Sequence, residues 1–190
     1  MPEHADQLER LIRDCGWLME ALEAACEVDP PNWVIGGGSL RNLVFDWLHG
    51  RATGLPRDVD LAYFDDTDLS ESQEEAIRAQ LHVRMPDIPF DVKNQARVHL
   101  WYEPHFGQAI PPYQSIGHAI STWPETATAV VCRLEDRGQI RIIAPFGLDD
   151  LFGGVLRRNP AQVTVEEYHR RLARWSDRLA GWPLVRVIDE

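Results

Sequence analysis

Apolar positions along this chain follow first one period and then another. From about Asp6 to Cys26, Leu8, Leu11, Ile12, Cys15, Leu18, Met19, Leu22 and Cys26 recur at helical spacing, which predicts one long amphipathic helix. Asp29-Pro30-Pro31 ends it, because proline lacks an N–H and clashes with the preceding turn. Asn32 to Ile35 reads as a short strand that empties into Gly36-Gly37-Gly38. Leu40, Leu43, Val44, Trp47 and Leu48 then mark a helix from Ser39 to about His49, with Gly50 closing it and Arg51 to Pro56 forming a loop. Asp58 to Phe64 alternates with period two, so Val59 and Leu61 face a core while Asp58 and Asp60 share the opposite face. Ser70-Glu-Ser-Gln73 has the form of a capping box and opens a helix carrying Ala76, Ile77 and Leu81, which Pro86 closes. Phe90 to Val92 is the next strand, with Asp91 and Lys93 on one face and Val92 on the other.

The second half is less regular. Gln95 to Gly107 mixes His99, Trp101, Tyr102, His105 and Phe106, which reads as aromatic packing under a loop, or as a surface for a base or sugar. Pro111-Pro112 marks a loop, and Ser115 to Thr122 a short helix. Ala127 to Leu134 and Gln139 to Ile143 are β-rich runs joined by Glu135-Asp-Arg-Gly138, a hairpin. Pro145 to Gly154 makes a turn and short helix, where Asp149 and Asp150 suit the helix dipole. Thr164-Val-Glu-Glu167 is another capping box, followed by the stripe Val165, Tyr168, Leu172, Trp175 and Leu179. Arg170, Arg171, Arg174 and Arg178 lie largely off that stripe and read as a solvated face.

A length of 190 residues bounds the chain to one domain, or a small catalytic core with an appended subdomain. No apolar run approaches the roughly 20 residues of a membrane helix, and the acidic, polar start is unlike a signal peptide. The three cysteines, Cys15, Cys26 and Cys132, form no metal-type pair, which fits a reduced cytoplasmic protein. Cys15 and Cys26 fall on the apolar helix face, which predicts buried thiols. A net charge of -11 argues against binding long nucleic acid by general electrostatics. Lys93 is the only lysine, two residues from Asp91 on the same strand face.

Candidate chemistry gathers between Val34 and Asp91. A strand emptying into glycines before a helix brings free N–H groups and a helix dipole to one point, which suits an anionic phosphate. It is no P-loop, since no Gly-Lys-Ser/Thr follows, and Arg41 stands where a dinucleotide fingerprint has its last glycine. Asp58 and Asp60, two apart, can address one divalent cation, and Asp91 adds a third carboxylate one helix later. Three such carboxylates can hold two metals that clamp an attacking and a leaving oxygen. The combination points to metal-assisted phosphoryl or nucleotidyl transfer.

These motifs resemble the DNA polymerase beta-like nucleotidyltransferase superfamily: a glycine turn, an Asp-x-Asp strand and a later carboxylate on a neighbouring strand. Gly37-Gly38-Ser39-Leu40-Arg41-Asn42 is similar to the glycine-arginine motif of the tRNA CCA-adding branch, with Asn42 where an aspartate is usual. The runs Asp91-Val-Lys-Asn-Gln-Ala-Arg97, Trp123-Pro-Glu-Thr-Ala-Thr128 and Ala144-Pro-Phe-Gly-Leu-Asp-Asp-Leu-Phe152 look closer still to a bacterial family of nucleotidyltransferase-like proteins of unassigned substrate. That likeness covers about Trp33 to Trp182.

The resemblance implies roles by position. Gly37, Gly38 and Ser39 would hold the terminal phosphates of a nucleoside triphosphate, and Asp58 and Asp60 two Mg²⁺ ions, with Mn²⁺ an alternative. Asp91 would bind the catalytic metal nearest the acceptor hydroxyl. Arg41 would touch the triphosphate or form a helix-surface salt bridge, and Lys93 would neutralise the nucleotide or pair with an acidic neighbour. The template-like Glu-Asp-x-x-Arg motif of CCA-adding enzymes has its nearest match in Glu135-Asp136-Arg137-Gly138-Gln139, which lacks the arginine. The expected acceptor is therefore a small molecule or protein rather than tRNA. The expected fold is a mixed α/β (α+β) nucleotidyltransferase-type core over about residues 32–95, a short mixed sheet flanked by helices. A C-terminal hairpin and helix over about 96–190 complete a single domain. Alternatives are an inactive nucleotide-binding or regulatory protein on that fold, and a toxin-type transferase.

Overall fold

The computed structural model describes residues 2–189. The expected long first helix is two: α1, Pro2–Asp14, and α2, Gly16–Val28. Cys15 leaves the helical region at φ -94°, ψ 94°, and Gly16 restarts the helix. The break re-aims the second half, so α2 buries Leu18, Ala21, Leu22, Ala24 and Ala25. Cys15 is buried as expected, but Cys26 is exposed, because it now lies just off the buried line.

Strand β1, Val34–Gly36, leads into helix α3, Gly38–Leu48, and strand β2, Val59–Tyr63, follows the loop. Helix α4, Glu71–Arg84, carries the chain to β3, Phe90–Asn94. Ser70 stands at the start of α4 with an extended backbone, but its side chain caps no N–H. The hairpin β4, Val131–Leu134, and β5, Ile140–Ile143, completes a five-stranded sheet of order β3-β2-β1-β4-β5. The pair β2/β3 is parallel, spanned by α4, and the other neighbours are antiparallel, so the sheet is mixed as expected.

Period-two alternation assigns the faces. Ile35, Val59, Leu61, Tyr63, Phe90, Val92 and Cys132 face the main core, where Leu8 and Ile12 of α1, Leu22 of α2, Val44 of α3 and Ile77 of α4 meet them. On the opposite face Val34, Ala62 and Val131 pack with Ile120 and Ala129, and Asp60 and Asp91 lie on that face in register with each other. Helix α5, Val98–Phe106, and helix α6, Ile116–Ile120, arch over that second face. Helix α7, Asp149–Phe152, precedes strand β6, Val155–Arg157, and the expected C-terminal helix divides at Trp175 into α8, Val165–Arg174, and α9, Ser176–Ala180. Thr164 caps α8 by accepting the Glu167 N–H at 3.2 Å, as its capping box predicts. Strand β7, Arg186–Ile188, pairs in parallel with β6, a pairing the hydrophobic pattern did not announce. No helix among the described residues is long and apolar enough to cross a membrane.

Gly36 is where β1 and β4 press together. A Cβ there would run into the Val130 carbonyl oxygen and lie 2.6 Å from the Val131 Cα. Backbone cannot yield as a side chain does, so Gly36→Ala is expected to cost about 3 kcal/mol or more, at or beyond the usual overpacking penalty. Urea denaturation reads this directly, and a variant as stable as wild type would show that the two strands part easily.

Candidate active site

The site forms where β1 turns into α3. Gly37 adopts φ 60°, ψ -120°, a conformation L side chains rarely take, and a Cβ there would press Asp60 Oδ2 and Trp123, each at 3.1 Å. The turn delivers the Gly38 N–H to Asp60 Oδ2 at 3.3 Å. Gly36 stands opposite Asp60 across the antiparallel pair, and Asp60 stands opposite Asp91 across the parallel pair. Three elements therefore bring the glycine turn and two of the expected carboxylates to one place. Asp58 lies one residue before β2, exposed at the mouth, rather than within the strand.

Electrostatics mark Asp60 as the strained member. Burial first, then the charges of Asp58 and Asp91, push its carboxyl up to about 6, while the Gly38 N–H and Arg41 pull the other way. Lys93 Nζ sits 3.4 Å from Asp91 Oδ1, with both side chains nearly half exposed, so this pair contributes little to stability. Pairing with an acidic neighbour, one of the two expected roles of Lys93, is thus present.

Arg41 is no surface residue. It is 1% exposed, stacks 4.1 Å above the Trp175 ring, and donates to Asn42 Oδ1 through Nε at 3.2 Å and Nη2 at 2.8 Å. Its Nη1 is buried without a hydrogen-bond partner among the described residues. Burial lowers its pKa to about 10, against the pull of Glu125. The helix-surface salt bridge is thereby ruled out, because the C-terminal helices close over this side chain. Ser39 differs too: Gly37 holds the N-cap position, and the Ser39 hydroxyl is buried without a partner among the described residues. It lines a neighbouring cavity of about 280 Å³, with Thr53 and Arg57 of the loop between α3 and β2.

The main cleft, of about 460 Å³, runs over Asp60, Asp91 and Lys93. Its opposite wall holds residues that the hydrophobic pattern assigned to solvent or to packing: Arg171, Trp175 and Arg178, at i, i+4 and i+7 along α8 and α9. Arg171 Nε donates to Glu125 Oε1 at 3.0 Å, and its guanidinium lies 5.1 Å from the Trp175 ring. A carboxylate wall thus faces an arginine wall. The one sequence signal for it was arginine one turn from tryptophan on a helix, since guanidinium stacks on indole. Arg170 does sit on a solvated face, paired with Glu167 at 3.0 Å.

A family model described as nucleotidyltransferase matches residues 23–187. The chain belongs to this nucleotidyltransferase family. No curated protein matches it closely. Among solved structures, the nucleotidyltransferase is similar to a protein whose NMR structure reveals a CCA-adding enzyme head domain, at 23% identity and TM-score 0.75, covering 97% of this chain and 96% of that one. A CCA-adding enzyme in complex with CTP matches at 15% identity and TM-score 0.55, over 96% of this chain and 43% of that one. A tRNA-processing enzyme in an apo form matches at 21% identity and TM-score 0.51, over 90% and 42%. This nucleotidyltransferase spans under half the length of those two enzyme chains, and at such identities the likeness shows the fold alone.

A metal ion has a suitable donor set here. Among the described residues no three His, Cys, Asp or Glu side chains converge into a cage. Mg²⁺ at phosphoryl-transfer sites rarely has one: it takes one or two carboxylates, with substrate phosphates and water completing its shell. Burial, with the charges of Asp58 and Asp91 added to it, raises Asp60 to about 6, and a divalent cation would relieve this donor set.

Proposed function

We propose that this nucleotidyltransferase moves a nucleoside monophosphate from a nucleoside triphosphate to an acceptor hydroxyl, releasing pyrophosphate. One observation carries the reading: Asp60 and Asp91 stand in register on adjacent parallel strands, beside the N-terminus of α3 and opposite an arginine wall. Gly37, Gly38 and Ser39 hold the leaving phosphates at that N-terminus, where N–H groups and the dipole favour anions. The unpartnered Arg41 Nη1 supplies a buried cation beside them. Two Mg²⁺ ions held by Asp58, Asp60 and Asp91 would supply charge neutralisation and a more acidic acceptor hydroxyl.

The acceptor oxygen forms a bond to the α-phosphorus, and the bond from that phosphorus to the bridging oxygen breaks, leaving its electrons on pyrophosphate. Asp91, on the edge strand, takes the acceptor proton. Lys93 leaves Asp91 to neutralise the nucleotide. The chain's work is positioning and charge stabilisation. The net charge of -11 supports a small-molecule or protein acceptor over tRNA, although solved relatives are named as CCA-adding and tRNA-processing enzymes.

A thermal-shift titration with ATP, GTP, CTP and UTP, each with and without Mg²⁺, tests the reading. Mg²⁺-dependent stabilisation is expected in wild type and absent from the Asp58→Ala/Asp60→Ala variant. An equal shift in the double variant would remove the carboxylates from the nucleotide site.

A further inference from the structure

The cleft has a second end that the nucleotide machinery leaves unused. Beyond Asp91 and Lys93 the chain passes Gln95 and enters α5, and there Trp101, Tyr102, Phe106 and Tyr113 line the cleft. Polar atoms punctuate this end. Tyr113 donates its hydroxyl to Gln162 Oε1 at 2.6 Å and accepts from Thr122 Oγ1 at 2.8 Å, while Tyr102 donates to the Gln162 carbonyl at 3.4 Å. Trp123 joins the two ends, with one ring edge against Gly37 and its Nε1 3.5 Å from Gln95 Oε1.

Position across the sheet assigns the end. The glycine turn follows β1, Asp60 lies on β2, Asp91 and Lys93 lie on edge strand β3, and the aromatic end follows β3. In-line displacement puts the attacking oxygen opposite the leaving group. With pyrophosphate leaving at the glycine turn, the attacking oxygen arrives from the β3 side, where the aromatic end begins.

Charge assigns the class of occupant. Arg41 and Arg171 gather about Trp175, towards the glycine turn, whereas at the other end Lys93 is paired with Asp91 at 3.4 Å and Arg158 donates to the Val163 carbonyl at 2.8 Å. A phosphate-bearing acceptor would have to break one of these contacts to gain a cation. Flat aromatic side chains with a few fixed hydroxyl and amide groups are instead suited to the face of a ring. Phe106, 46% exposed, has area left to cover.

We infer that this end is the acceptor subsite and that it takes a small, uncharged molecule carrying its hydroxyl on a sugar or aromatic ring. The word acceptor rests on the nucleotidyl-transfer reading; recognition of an uncharged ring does not.

Saturation-transfer NMR on the full chain tests this, with phenyl β-D-glucoside as the uncharged probe, and phenyl phosphate and a cytidine trinucleotide as charged ones. Transfer to the glucoside is expected in wild type and in the Asp58→Ala/Asp60→Ala variant. It should fall about tenfold in Trp101→Ala/Phe106→Ala, whose Mg²⁺-nucleotide shift should persist. The single Phe106→Ala variant, at a half-exposed position, guards against a fold defect in the double one and should weaken binding part-way. Undiminished transfer in both aromatic variants overturns the inference, as does stronger transfer to either charged probe. Displacement of the glucoside by a free nucleoside overturns it as well, because the nucleoside would then own this end. If the glucoside binds as expected while no nucleotide shifts the protein, the transfer reading falls alone.

Discussion

Asp60→Asn is expected to abolish nucleotidyl transfer and, in the absence of ligand, to make the protein more stable. Asparagine keeps an oxygen for the Gly38 N–H but removes a charge that burial, Asp58 and Asp91 all oppose. Loss of a residue that merely orients a metal ligand already costs about 10–100-fold, so loss of the ligand itself should cost more than about a hundredfold in turnover. A carboxyl raised from 3.8 to about 6 binds its proton more tightly folded than unfolded. Wild-type stability should therefore fall as pH rises from about 4 to about 6, then level off. The charge removed is on the order of 3 kcal/mol at neutral pH, or roughly 9 °C in Tm for a chain of this size. Nucleotide binding with Mg²⁺ runs the other way, weakening up to about tenfold per pH unit below about 6, because the metal needs the ionised carboxylate. Melts at pH 4.5 and 7.5 should show the two proteins converging at the lower pH. Turnover within threefold of wild type in Asp60→Asn would sink the assignment.

That trade between stability and chemistry bears on what could be read from residues alone. Asp60 and Asp91 were legible because strand alternation is forced by the backbone: once Val59, Leu61 and Val92 are buried, their neighbours face the other way. The glycine turn was legible for a similar reason, although the helix begins at Gly38 and Gly37, not Ser39, takes the cap position. The break between α1 and α2 was hidden because apolar spacing runs through Cys15 unbroken, and a glycine costs a helix only about 1 kcal/mol. Strands β6 and β7, three residues each, are too short to show a period. Arg171 and Arg178 were missed on other grounds. Amphipathic reasoning sends charge to solvent, and only the tertiary fold shows that this helix turns the Arg171–Trp175 edge toward the carboxylates.

Glu125→Ala should be among the most damaging substitutions outside the carboxylate cluster. Glu125 is 0% exposed and accepts from Arg171 Nε at 3.0 Å and from Thr128 Oγ1 at 2.7 Å. Its carbonyl takes the N–H groups of Thr128 and Ala129 at 3.0 and 2.9 Å, so the backbone holds the carboxylate in place. It is also the chief charge opposing desolvation of Arg41. Without it, Arg171 loses its hydrogen-bonded carboxylate and is left beside the charges of Arg41 and Arg178. Removing one partner of a buried pair costs about 3–5 kcal/mol, here roughly 10 °C in Tm. The penalty belongs to the stranded arginine, and that gives the idea its test. Replacing both residues, as Glu125→Ala/Arg171→Met, should recover about half the loss or more, since apolar replacement of a whole buried pair is often neutral. Urea melts of the two single variants and the double close the cycle. A strictly additive double variant would mean that Glu125 stabilises through Thr128 and the backbone alone. Recovery of stability without recovery of nucleotide affinity would instead separate the two tasks of the pair: Glu125 holds Arg171, and Arg171 faces the cleft.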